Sequence, residues 1–152
     1  MFKLKNKKGA TLIEIVAVIA IIGIMTGATI VSFSKARTQA AVEGETEKLI
    51  SVIREAQNYA LTGKQASSEC YEYRILTDGD GAYKLGNYPG PGCTLNSSFN
   101  LENGVKFESS VGVTFEAPHA DNRGGGSFVL KKGSYKCTAK VNPTGLITKS
   151  CL

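Results

Sequence analysis

The sequence predicts an α+β protein: one long N-terminal helix, membrane-spanning in its first half, packed on a small antiparallel β-sheet head. Three observations carry this. Twenty residues, Ile15 to Ser34, hold no charge. Val42, Thr46, Leu49, Ile53, Ala56 and Ala60 then recur at gaps of 4, 3, 4, 3 and 4, the spacing of one helix face. From Glu69 onward the pattern changes to short runs punctuated by Gly, Asp, Asn and Pro.

At about 1.5 Å per residue, the uncharged run makes a helix roughly 30 Å long, the thickness of a bilayer's hydrocarbon core. A cleaved secretory signal would need a small-x-small site closing a short apolar stretch, and none is present. The run is therefore expected to stay and span the membrane. Lys3, Lys5, Lys7 and Lys8 precede it, which holds the N-terminus in the cytoplasm; Lys35 and Arg37 weaken that bias without reversing it. Everything after about residue 35 is expected outside.

Gly9-Ala10-Thr11-Leu12-Ile13-Glu14, behind the lysines and ahead of the apolar run, resembles the class III signal of type IV prepilins and type II secretion pseudopilins. The resemblance covers about residues 6–30. It implies that a membrane prepilin peptidase cuts between Gly9 and Ala10 and N-methylates Ala10. The first mature residue of that family is most often Phe, and here it is Ala10. Cleavage would leave an ammonium on Ala10, four residues from Glu14 and so on the same helix face. A charge within the bilayer costs about 2.5–3.5 kcal/mol or more unless paired or brought to the interface. In a lone chain Glu14 can snorkel; in a filament the resemblance implies that it pairs with a neighbour's N-terminal amine.

Four segments follow: a cleaved leader at 1–9, a transmembrane helix at 10–34, an amphipathic continuation at 35–62, and a β-rich extracytoplasmic head at 63–152. Of 18 basic residues the leader removes four, leaving 14 against 13 acidic, so bulk charge says nothing about partners. Gly63 is placed to stop the helix. Gly23 and Gly27, four apart, permit close helix approach, and Gly44 loosens the outer half by about 1 kcal/mol against Ala. The run lacks the proline that many major pilins carry, which favours a minor pilin or pseudopilin subunit.

In the head, Cys70 to Leu76 and Ala82 to Gly86 flank Asp78-Gly79-Asp80-Gly81, a hairpin turn. Val111 to Phe115, Ser127 to Lys131, Tyr135 to Val141 and Gly145 to Lys149 read as further strands, the last two joined at Asn142-Pro143-Thr144-Gly145. Ile53-Arg54-Glu55-Ala56-Gln57-Asn58-Tyr59-Ala60, Val113-Thr114-Phe115, Phe128-Val129-Leu130 and Val141-Asn142-Pro143-Thr144-Gly145 are similar to the H-type minor pseudopilin family. Within the superfamily a minor type IV pilin is the second reading.

The four cysteines fall on the outer side, where disulfides are the default, and four allow three connectivities. The turn near 143–144 sets Cys137 opposite the region of Cys151. The turn near 79–80 sets Cys93 a few residues past the position opposite Cys70. The expected pairs are Cys70–Cys93 and Cys137–Cys151.

No enzyme is expected. His119 is the one histidine, and oxidised cysteines leave no Cys–His nucleophile pair. Asp78 and Asp80 lack the spacing of a calcium loop, and the turn explains them; no metal or cofactor is assigned. Gly90-Pro91-Gly92 and Gly124-Gly125-Gly126 read as loops, since neither both follows a strand and opens a helix as a phosphate cradle would. One rival function remains. Residues 122–152 hold Arg123, Lys131, Lys132, Lys136, Lys140 and Lys149 with no acid, a stretch able to grip DNA phosphates. The resemblance to DNA-uptake pilins would place arginines after the last-hairpin glycine, whereas Gly145 is followed by Leu146 and Ile147, so a solvated lysine face is preferred. The expected partners are the prepilin peptidase, other pilin or pseudopilin subunits, membrane lipid and secreted cargo. The expected location is the inner membrane, then the filament.

Overall fold

A computed structural model describes residues 11–152 apart from Gln65, Pro91 and Arg123, and gives no side-chain description for residues 28–32 or Pro89. The fold is α+β: helix α1 (Leu12–Thr62) is followed by strands β1 (Cys70–Thr77), β2 (Ala82–Pro89), β3 (Asn96–Asn100), β4 (Lys106–Val111), β5 (Val113–Glu116), β6 (Asp121–Asn122), β7 (Gly126–Lys132), β8 (Tyr135–Val141) and β9 (Ile147–Cys151). All pairings are antiparallel, an architecture consistent with the pilin-like class. The chain divides into two compact units, residues 1–37 and 38–152.

In the first unit the apolar side chains face outward. Leu12 is 81% exposed and Ile24 77%, and the same holds for Ile15, Val18, Ile21 and Ile22. A Cβ added at Gly23 or Gly27 would meet nothing within 4 Å. The Thr26 hydroxyl donates to the Ile22 carbonyl at 2.8 Å, the usual way a helical threonine satisfies itself. Among the described residues no helix is long and apolar enough to cross a membrane. Of the uncharged run, the side chains of residues 28–32 lie outside the described set, as does all of Ala10.

The second unit buries its stripe. Val42, Thr46, Leu49, Ile53, Ala56 and Ala60 are all fully inaccessible. They join one core with Tyr73, Ile75, Leu85, Val113 and Phe115 from one sheet and Phe107, Phe128, Leu130, Ala139 and Val141 from the other. Because two sheets meet the helix, the flanks of the stripe are covered as well: Glu45 and Val52 on one side and Ile50 on the other are buried beyond the positions read from spacing. The Thr46 hydroxyl donates to the Val42 carbonyl at 2.7 Å, so its burial leaves no donor orphaned. Gly63 adopts φ 64°, and the Lys64 N–H reaches back to the Tyr59 carbonyl at 3.2 Å, a Schellman end that needs glycine.

The antiparallel head is built from two sheets. One sheet runs β3-β2-β1-β5-β6 and the other β4-β7-β8-β9. The strand expected over Val111–Phe115 is two strands, broken at Gly112, where the chain leaves one sheet for the other. A Cβ at Gly112 would meet Leu76 Cδ2 at 2.7 Å, and one at Gly126 would meet Val113 Cγ2 at 2.4 Å, so the crossing requires glycine on both passing segments. β3, β6 and most of β4 were not foreseen; Asn-Ser-Ser-Phe-Asn carries no apolar alternation to betray a strand. β9 starts at Ile147, not Gly145, because Gly145 (φ 80°) belongs to the turn: its N–H donates to the Asn142 carbonyl at 2.8 Å.

Candidate functional site

The first turn of α1 holds the charge that the apolar run isolates. The Thr11 carbonyl accepts from the Glu14 N–H at 3.0 Å and the Ile15 N–H at 3.2 Å, so these bonds close the first turn of α1, and Glu14 is its one acid. Thr-x-x-Glu is the capping-box spacing, and a carboxylate here also faces the positive end of the helix dipole. Glu14 is exposed and surrounded in sequence by exposed Leu12, Ile13, Ile15 and Val16. Lys3, Lys5, Lys7, Lys8, Gly9 and Ala10 lie outside the described residues.

The head places the four cysteines in two bridges, Cys70–Cys93 and Cys137–Cys151, with Cα atoms 5.5 and 4.1 Å apart. Cys137 and Cys151 are direct cross-strand partners. Three contacts tie α1 to the last two strands and their turn. Tyr135 Oη donates to Glu43 Oε1 at 2.6 Å, Lys149 Nζ to Glu47 Oε1 at 2.5 Å, and Gln57 Nε2 to the Gly145 carbonyl at 2.7 Å. The Glu43 carboxylate raises the Tyr135 hydroxyl above its usual range, and partial burial adds to the rise.

Glu45 is the charge that spacing did not flag. It is 3% exposed and pairs with Lys48 at 2.8 Å, while the same ammonium reaches Glu102 at 3.3 Å. The Glu45 hydrogen bond, then that of Glu102, raises Lys48 above its ordinary value. Burial, and next the Glu45 carboxylate, push Tyr83 up to about 12.

The lysine-rich end has acidic neighbours in space that its own stretch of sequence lacks. Acids distant in sequence reach it: Lys131 and Lys136 both hold Glu108, at 3.1 and 2.6 Å, and Lys149 holds Glu47. Lys136, then Lys131, lowers the Glu108 carboxyl below the usual glutamate range. Lys132 and Lys140 have no carboxylate partner among the described residues, and Arg123 lies outside them. The turn acids are used likewise. Asp78 takes Lys84 and Asp80 takes Lys106, each at 2.7 Å, and the Lys106 bond lowers Asp80. Among the described residues no group of three or more His, Cys, Asp or Glu could hold a metal ion. His119 is exposed in the turn between β5 and β6. An open depression is lined by Val111, Gly125, Ser127, Lys140, Asn142 and Pro143; it offers one ammonium and no acid–base pair.

Residues 4–30 match the family described as the prokaryotic N-terminal methylation motif, while no curated protein and no solved structure matches the chain. That match supports a type IV pilin-like prepilin: a membrane-anchored subunit, processed by a prepilin peptidase, that assembles with other pilin subunits.

Proposed function

We propose that this chain is a minor subunit of a pilus-like filament, most similar to the H-type minor pseudopilins of type II secretion systems. The observation that carries the reading is the methylation motif over residues 4–30, with a run that stays uncharged from Ile15 to Ser34 and a single acid, Glu14, at its head. The peptidase cuts between Gly9 and Ala10 and methylates Ala10. The apolar helix then crosses the inner membrane with its N-terminus cytoplasmic, and the exposed Leu12-to-Met25 side chains find lipid first and neighbouring helices later. The head docks other minor subunits or secreted cargo. A DNA-gripping minor pilin has less support, because Lys131, Lys136 and Lys149 already hold carboxylates.

The test is co-expression with a prepilin peptidase followed by intact-mass measurement. The expected product lacks residues 1–9 and carries one added methyl group. An uncut N-terminus, or a cut near residue 35, overturns the reading.

A further inference from the structure

Four strands end the two sheets: β3 and β6 in one, β4 and β9 in the other. An open strand edge is a template for another chain, and most proteins blunt it with charge, bulges, proline or shortness. Three of the four are blunted. β6 is two residues long. β4 carries a bulge between Phe107 and Ser109 and the charges of Lys106 and Glu108. β9 turns Lys149 inward onto Glu47 of α1. β3 has none of these devices: Asn96-Ser97-Ser98-Phe99-Asn100 pairs with β2 in unbroken register and contains no charge and no proline.

Two flanking bonds fix which peptide groups face outward. The Asn87 N–H donates to the Leu95 carbonyl at 3.2 Å and the Leu101 N–H to the Gly81 carbonyl at 2.8 Å. In an antiparallel pair, bonding alternates residue by residue. Ser97 and Phe99 therefore spend their peptide groups on β2, and Asn96, Ser98 and Asn100 turn theirs to the open edge. These three residues are exposed, and none of their peptide groups has a partner among the described residues.

We propose that β3 pairs with β3 of a second copy of this chain, antiparallel and centred on Ser98. The parity permits it. Turned about Ser98, Asn96 falls opposite Asn100, Ser98 opposite itself and Asn100 opposite Asn96. Outward peptide groups thus meet outward peptide groups at all three positions, and each pair exchanges two bonds. The exposed face then sets Asn against Asn and Ser against Ser, pairs that hydrogen-bond across strands, with no like charges opposed. On the other face, half-buried Leu95 falls opposite Leu101, and Phe99, stacked on Tyr83 at 5.1 Å, gains a second strand's cover. Such a pairing is isologous and closes on itself, so it makes a dimer and does not propagate. A charged peptide fits this neutral edge less well than the strand itself.

The test uses the full chain in intact cells. Ser98→Cys places two thiols at the two-fold axis, where paired Cα atoms lie about 5.5 Å apart, within disulfide reach. Copper phenanthroline with oxygen as the oxidant should convert it to a dithiothreitol-sensitive band at twice the protomer mass. That band should be at least about fivefold stronger than for Ser150→Cys on β9 or Ser109→Cys on β4, both exposed. In the Ser98→Cys background, Asn100→Pro removes an outward N–H and leaves the β2 ladder whole; Asn100→Lys adds charge with no backbone change. Each should cut the dimer by about tenfold. A Ser98→Cys band no stronger than the β9 control, an adduct of any other mass, or a dimer indifferent to both Asn100 substitutions overturns the proposal.

Discussion

Gln57 of α1 donates its amide to the carbonyl of Gly145 at 2.7 Å, and the same amide nitrogen would lie 3.1 Å from a Cβ at that glycine. The contact joins the helix to the turn that starts the last strand. Gly145 also sits at φ 80°, where a side chain is strained. Gly145→Ala should therefore cost about 1–3 kcal/mol, more than Gly79→Ala, whose φ is also positive but whose Cβ would meet nothing. Thermal unfolding of the two variants beside the parent checks the order.

The two disulfides close loops of similar length, with sequence separations of 23 and 14. Loop-closure entropy predicts that removing either, as a Cys-pair-to-Ser-pair variant, costs about 3 kcal/mol. Non-reducing peptide mapping should find Cys70 with Cys93 and Cys137 with Cys151. A link between Cys70 and Cys137, or equal stability with both bridges gone, is the contrary result.

Tyr83 gives a pH dependence. Its folded-state value, about 12, lies above the ordinary 10 because burial and the Glu45 carboxylate oppose tyrosinate. A raised value means stability fully present below about pH 10 and lost as pH climbs through about 12. Tyr83→Phe should remove a late tyrosinate absorbance step and make the head less sensitive to alkali between those limits.

Glu14→Leu separates three roles for the first-turn acid. Under the proposed function the variant is cleaved normally and inserts at least as well, since a charge costing a few kcal/mol in lipid is gone. It then fails to enter filaments, because a neighbour's amine is left buried and unpaired. Loss of cleavage would point to peptidase recognition, and normal incorporation to capping or snorkelling alone. The measurement is the variant's share in sheared filaments against the membrane fraction, with its N-terminus checked.

DNA binding is expected to be absent at roughly 0.15 M salt, because three of the lysines in the basic stretch already hold carboxylates. Fluorescence anisotropy with duplex DNA is the check. A micromolar or tighter complex whose salt slope flattens in Lys132→Ala or Lys140→Ala would favour the uptake reading.

The helix and its buried stripe were legible because helix period and a terminal glycine are local signals, and Val42 to Ala60 obey them residue by residue. The buried flanks of that stripe were not, since Glu45 reads as solvent-facing until two sheets close over it. Long-range pairing hid the character of the lysine face: Glu47 and Lys149 are 102 residues apart, and nothing in either neighbourhood announces the other. β3 was silent for a different reason. Its residues are polar because they stand at an edge, and edge strands lack the alternation that marks half-buried ones. The break at Gly112 had one local sign, a glycine inside a strand pattern, but the change of sheet depends on the close approach of Leu76 at that glycine, from elsewhere in the chain.

The three ties from Glu43, Glu47 and Gln57 bear on mechanics. They span four turns of α1 and all end on β8, β9 or the turn between them. Beside the core shared with both sheets, a share of any tension along this part of the helix enters the head through that hairpin, over contacts loaded together in shear. The Cys137–Cys151 bond sits at the open end of the same hairpin and turns it into a covalent ring. Under such a pull these two strands stay joined at both ends, by the turn at one and by the disulfide at the other.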